Sequence, residues 1–193
     1  MFSEGSEISA GAPKGSFNKN VLLIAVDDLF DYKRFASFFG LDLQMPNLER
    51  LAAQGITFSA NSTTSPQCNP ARTAMLTGES AFTTGVYQNK SLFATDVASN
   101  NEYLPLHFSD TGYTTGLAGK VFHGIFGQVA DDFDTAVAIT DDAKHRPVTS
   151  EDHPDYKIAE FARTFLSEAS SDQPFFLSIG FHKPHKPWVV PEE

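Results

Sequence analysis

The run Asn20-Val21-Leu22-Leu23-Ile24-Ala25-Val26 constrains the fold most. It is apolar without alternation, of strand length, and carries β-branched residues near both ends. Such a run fits a strand buried on both faces, as in a parallel sheet covered by helices. It is also far shorter than the roughly 18–20 apolar residues a membrane helix needs, and no apolar stretch in the chain is long enough. Two carboxylates, Asp27 and Asp28, follow it at once. In open α/β sheets ligands gather at the carboxyl ends of the strands, so this is where chemistry is expected.

The rest of the 193-residue chain keeps the same rhythm. Pro46 to Gly55 reads as a short helix, with Pro near its start, Leu48, Leu51 and Ala52 on one face, and Gly55 as its stop. Ile56 to Ser59 reads as the next strand. Pro70 to Thr77, closed by Gly78, and Tyr103 to Asp110 are further helices. Tyr113 to Ala118 is a strand leading to Gly119-Lys120. Residues 124–153 have no clean period and form an acidic, loop-rich insertion. Tyr156 to Ser170 carries a 3.6-residue stripe of Ile158, Phe161, Ala162, Phe165 and Leu166. Pro174 to Gly180 is another continuous apolar strand. Alternating helices and strands predict an α/β domain with a mostly parallel sheet. Residues 1–18, rich in Ser, Gly, Glu and Lys, read as a flexible tail without the basic start and apolar core of a signal peptide.

Charge and cysteine content remove several functions. The net charge is −10 with no cluster of Lys or Arg, which argues against a nucleic-acid binder. The one cysteine, Cys68, excludes an intramolecular disulfide framework and a multi-cysteine zinc site. The acidic total also disfavours an anionic ligand, unless a cleft gathers positive charge locally.

Four polar clusters fall at or near the expected sheet edge. Asp27-Asp28 would repel unless a cation sits between them, and a hard divalent ion meets that need; a turn cap plus a solvated acid is the plainer reading. In Cys68-Asn69-Pro70-Ala71-Arg72, Pro70 suits a first helical turn and places Cys68 just before the helix N-terminus, where an anion is favoured. Arg72 adds a planar cation. The spacing fits a nucleophile attacking an anionic ester and equally fits a buried structural cysteine. Lys120 with His123, and His182-Lys183-Pro184-His185, could neutralise an anion and move a proton. A histidine zinc site is a rival, although neither HxxxH nor HExxH spacing occurs.

These segments, taken together and in order, resemble the sulfatase family. Cys68-Asn69-Pro70-Ala71-Arg72 followed by Leu76-Thr77-Gly78 is similar to that family's C-x-P-[S/A]-R signature and the Leu-Thr-Gly after it. Asn20 to Asp28 resembles its first strand and metal pair. Gly119-Lys120-Val121-Phe122-His123 and Phe175 to Pro187 look most like the iduronate-2-sulfatase branch. The resemblance implies an alkaline-phosphatase-like sandwich, incomplete in this chain, with residues 19–193 as the N-terminal part of the catalytic domain. It implies that Cys68 is converted to formylglycine by a maturation enzyme, and that the hydrated aldehyde, not a thiolate, is the nucleophile. Asp27, Asp28 and the modified Cys68 would hold Ca2+ or another divalent cation. Arg72 would position the formylglycine, Lys120 would contact sulfate, and His123 would help expel it by deprotonating the remaining hydroxyl. His185 would bind sulfate and assist the leaving oxygen. Lys183 is a further substrate-contact candidate, and His182 supports the strand end.

The activity implied is removal of sulfate from a sulfated sugar or polysaccharide, with the sulfated carbohydrate and the maturation enzyme as partners and no membrane span. A phosphate or phosphonate ester hydrolase of the same superfamily is the alternative, and an inactive truncated fragment is another. Family members carry a second metal-binding Asp and another Lys later in the chain, beyond Glu193. The expectation is therefore that these 193 residues alone bind calcium weakly and turn over little. For the full-length protein the resemblance implies a periplasmic, secreted or lysosomal setting.

Overall fold

A computed structural model describes residues 19–89, 103–124, 126–141 and 149–191. The expected tail, residues 1–18, lies outside the described residues, as do 142–148 of the acidic stretch. Among the described residues, four strands form one sheet in the order β1-β4-β2-β3. They are β1 (Val21–Val26), β2 (Thr114–Gly119), β3 (Thr135–Val137) and β4 (Phe175–Phe181). Every pairing is parallel. The helices are α1 (Tyr32–Phe39), α2 (Pro46–Gln54), α3 (Cys68–Thr77), α4 (Ala81–Thr84), α5 (Leu104–Asp110), α6 (Phe126–Val129) and α7 (Pro154–Glu168).

β4 lies between β1 and β2, and its residues Phe175 to Gly180 are all buried. On one face Phe175, Leu177 and Ile179 pack with Ala118 of β2 and with Ile158 and Ala162 of α7. Burial of each large side chain of this kind contributes about 1.5–3 kcal/mol. On the other face Phe176 stacks on Phe108 of α5 at 4.3 Å, next to a cluster that includes Leu76, Tyr103, Leu117 and Val121. Helices thus cover both faces of the sheet's middle, which is why the apolarity of β4 does not alternate.

β1 departs from the expectation of burial on both faces. It pairs with β4 alone among the described residues, and Leu22 and Ile24 are 43% and 45% exposed. Residues 56–59 form no strand, and Ile56 and Phe58 are largely exposed. A β-branched run makes a strand only when a neighbouring strand accepts its hydrogen bonds. None of the described strands lies beside it.

The acidic stretch is more ordered than its sequence suggests. It contains α6 and β3, and two of its acids serve the fold. Asp132 accepts the Tyr103 hydroxyl. Asp134 Oδ2 accepts the backbone N–H and the hydroxyl of Thr115 at 2.7 and 3.0 Å, which ties β3 to β2. α7 buries Ile158 and Ala162 and packs Phe161 and Phe165 as its stripe predicts, but Leu166 of the stripe is exposed; the helix starts at Pro154 after His153, whose Nδ1 accepts the Asp155 N–H at 3.1 Å.

Candidate functional site

Three strands end at one point. The Asp27 N–H donates to the Phe181 carbonyl at 3.1 Å, and the Lys120 N–H donates to the Gly180 carbonyl at 2.7 Å. The close approach of the paired ends of β2 and β4, where Gly119 lies opposite Gly180, needs glycine at both positions. A Cβ on Gly119 would run into the Gly180 carbonyl and the Ile158 side chain, and one on Gly180 into the backbone of Lys120. Gly119 also has φ +70°, a conformation other L-residues rarely adopt. The chain therefore leaves β1, β2 and β4 within reach of one another, and Asp27, Lys120 and the His182–His185 turn start from that point.

Asp27 is 4% exposed and is the hub. Its Oδ1 accepts Arg72 Nη2 at 2.8 Å, and its Oδ2 accepts the Lys120 ammonium. Arg72, itself buried, also donates to the Val121 carbonyl at 3.0 Å and to that of Lys120. Burial pushes the Asp27 carboxyl upward, but the hydrogen bonds and charges of Lys120 and Arg72 outweigh it and hold the pKa below its ordinary 3.8. Asp28 follows at φ 59°, in the left-handed region that Asp tolerates better than most residues. Successive strand side chains point to opposite faces. The left-handed residue breaks that alternation, and both carboxylates approach His185: its Nε2 is 4.0 Å from Asp27 Oδ2 and 3.8 Å from Asp28 Oδ2. His185 Nδ1 faces the Lys186 carbonyl, which can only accept, so the Nδ1 proton is fixed there and Nε2 is left toward the acids.

Cys68 is the first residue of α3 rather than the one before it, and Arg72 lies one turn later. Ligand atoms of Asp27, Cys68 and His185 all lie within 4.8 Å of one another, a grouping able to hold a metal ion. Asp28 stands at its edge. A cleft of about 620 Å³ opens here, with Asp27, Asp28, Cys68 and Arg72 on one side and the hydroxyl-rich segment 61–65 on the other. A second cavity of about 530 Å³ contains Lys120, His123, His182 and His185. The Asp27–Lys120 ion pair joins the two. Burial first, then the charges of Lys120 and Arg72, push the His123 pKa below 6.5 against the pull of Asp27. His123 is thus neutral at neutral pH and able to take a proton.

Lys183, the substrate-contact candidate, and His182, expected to support the strand end, are both engaged by the segment 139–141. Lys183 Nζ is engaged by Asp141 Oδ2 at 2.7 Å and the Pro187 carbonyl at 2.8 Å. His182 Nε2 lies 3.1 Å from the Ile139 carbonyl. Asp27, Cys68, Arg72, Lys120, His123 and His185 are brought together; Lys183 and His182 hold the cavity wall.

The sequence reading missed the groups that hold the residues on either side of Cys68. Asn89 Oδ1 accepts the Asn69 N–H at 2.9 Å, Gln67 Oε1 accepts the Asn89 N–H at 3.2 Å, and Asn69 Nδ2 donates to the Gln88 carbonyl at 3.2 Å. The first of these caps an N–H of the opening turn of α3, whose preceding residue makes no side-chain cap, and the other two hold residues 88 and 89 in place to do so. Partners some twenty residues apart leave no local signal.

A family model described as sulfatase matches residues 19–193. A sulfatase of Formosa agariphila is 31% identical, the match covering 90% of this chain and 40% of that protein. Human iduronate 2-sulfatase is 32% identical, with 98% of this chain and 39% of that protein covered. The chain therefore spans well under half the length of these curated relatives. Among solved structures, a 2-O GAG sulfatase is 25% identical with a TM-score of 0.65, covering 87% of this chain and 35% of that one. The phosphonate monoester hydrolase of Agrobacterium radiobacter is 21% identical with a TM-score of 0.66, covering 90% and 42%. The fold is the alkaline-phosphatase-like α/β arrangement, of which this chain forms a part.

Proposed function

This chain belongs to the sulfatase family, and we propose that the whole protein hydrolyses sulfuric esters of a sulfated sugar. The observation that carries this is the convergence of Asp27, Cys68 and His185 within 4.8 Å beside two cations, Arg72 and Lys120. Iduronate 2-sulfatase and a 2-O GAG sulfatase among its relatives support a sulfated sugar as substrate. The phosphonate hydrolase likeness, at 21% identity, speaks for the fold alone.

The donor set fits the implied groups. Asp27 and Asp28 are hard oxygen ligands suited to Ca2+ or a similar ion, whereas a cysteine sulfur beside them is soft. Replacement of that sulfur by oxygen, as in formylglycine, makes the set consistent. Bound there, the cation would supply Lewis-acid polarisation and the formylglycine hydrate an oxygen nucleophile.

The remaining work falls to this chain's own side chains. Arg72 fixes the Asp27 carboxylate and the strand exit behind it. Lys120, its ammonium held by Asp27, brings a positive charge to the point where the sulfuryl oxygens gather charge. His185 Nε2, 4.0 Å from Asp27 Oδ2 and 3.8 Å from Asp28 Oδ2, stands where it can deliver a proton to the departing sugar oxygen. His123, kept neutral by burial and neighbouring cations, accepts a proton when sulfate is released. One pocket can thus be positive in a chain of net charge −10.

The test is the whole protein, expressed with and without a formylglycine-generating enzyme. Sulfate release from sulfated disaccharides, dependent on that enzyme and on divalent metal, is the expected result, with mass spectrometry showing loss of the Cys68 thiol. An unmodified thiol in the presence of the maturation enzyme, or faster turnover of an aryl phosphate than of the matched aryl sulfate, would overturn the proposal.

A further inference from the structure

The turn that carries His185 leaves the sheet at Phe181, and its first two backbone N–H groups converge on one carboxylate. Asp155 Oδ1 accepts the His182 N–H at 2.7 Å, and Oδ2 accepts the Lys183 N–H at 2.9 Å. Asp155 lies in the first turn of α7, where the helix dipole favours a negative charge and His153 caps the helix by accepting its N–H. Bonds from N–H groups to an ionised acceptor are short and about twice as strong as neutral ones. The side chains of the same two residues are tied the other way, His182 to the Ile139 carbonyl and Lys183 to Asp141. The turn is closed by the His185 N–H donating to the His182 carbonyl at 3.0 Å.

His182 and Lys183 are therefore held by main chain and side chain together. His185, which follows after Pro184, keeps its Nε2 toward Asp27 and Asp28. We infer that Asp155 is a positioning residue: its two-oxygen grip on the His182–Lys183 backbone sets where His185 Nε2 stands. The inference rests on the role proposed above for His185. It also explains why the segment around Pro154, 31 residues before His185 in sequence, belongs to the site's support.

A proton donor matters most when the leaving oxygen is a poor leaving group, and little when it is a stabilised phenolate. The experiment compares the whole protein with Asp155→Ala, Asp155→Asn, His185→Ala and the double variant Asp155→Ala/His185→Ala. Each is assayed on a sugar sulfate and on 4-nitrocatechol sulfate, with thermal melts alongside. Misplacement of a reacting group by an ångström costs on the order of 100-fold. Asp155→Ala is expected to lower kcat on the sugar sulfate by about 10–100-fold with KM little changed, and to spare the activated ester. In the His185→Ala background it should add no further loss, because residues acting as one unit are not additive. Asp155→Asn keeps the side-chain volume and one acceptor oxygen; it should fall between, and it decides the matter if Asp155→Ala does not fold. Equal losses on both esters, or a full additional loss in the His185→Ala background, overturn the inference. If His185→Ala itself spares the sugar sulfate, the role proposed for His185 fails first, and the positioning role with it.

Discussion

β1 and β4 are read alike from their sequences and sit differently in the sheet. Both are continuous apolar runs, and both end in the candidate site. β4 is enclosed by β1 and β2 at its edges and by helices on both faces. β1 has one neighbour among the described strands and leaves Leu22 and Ile24 nearly half exposed. Continuous apolarity thus marks a strand able to be buried on both faces, while the burial itself depends on which other segments come to lie against it.

That difference can be broken or sharpened by mutation. Leu177→Ala in β4 should destabilise the chain by about 2–5 kcal/mol in urea unfolding, because a fully buried leucine leaves a cavity. Asp27→Asn, at the exit of β1, should cost about 3 kcal/mol, since it leaves Arg72 and Lys120 facing each other without the anion between them. It should also weaken divalent-ion binding in titration calorimetry. An acid titration reads the same group more gently. The folded pKa of Asp27 lies below its ordinary 3.8, so its contribution is intact above that value and is lost as pH falls through the lowered one. Wild type should lose stability below about pH 4 relative to its plateau, and the Asp27→Asn curve should be flatter there. Leu22→Ala in β1 should be the mildest, about 1 kcal/mol, because much of that side chain already meets water. A cost equal to that of Leu177→Ala would erase the distinction between the two strands.

Much of this was legible in the chain itself. α7 announced its buried face through Ile158 and Ala162, and α3 its stop through Gly78, which takes the left-handed conformation. Asp27, Lys120 and His185 could be picked out because each follows a strand, and Cys68 and Arg72 because they occupy the first turns of a helix. Ile56 to Ser59 misled because its residue types favour a strand and no partner strand lies beside it. β3 was overlooked because three residues, Thr135–Val137, carry too little pattern. Lys183 is the substrate-contact candidate of the pair and His182 the support of the strand end; their engagement by Asp141 and the Ile139 carbonyl, more than forty residues earlier, is a product of tertiary folding. The same holds for Asp155 and Asn89, whose partners the sequence does not mark.

The glycines at 119 and 180 have one more consequence. Where they touch, the separation between the β2 and β4 exits is set by main chain against main chain, with no side chain in between. The spacing between Lys120 and the point where β4 leaves the sheet is thus a property of the backbone, before Asp155 sets the turn beyond it. Side chains lining the two cavities can be exchanged without resetting it, as a lathe keeps its centres while the tool is changed. Variation in substrate preference can then be sought in the walls, while a single added methyl group at either glycine would push apart the strand ends from which Lys120 and the His185 turn start.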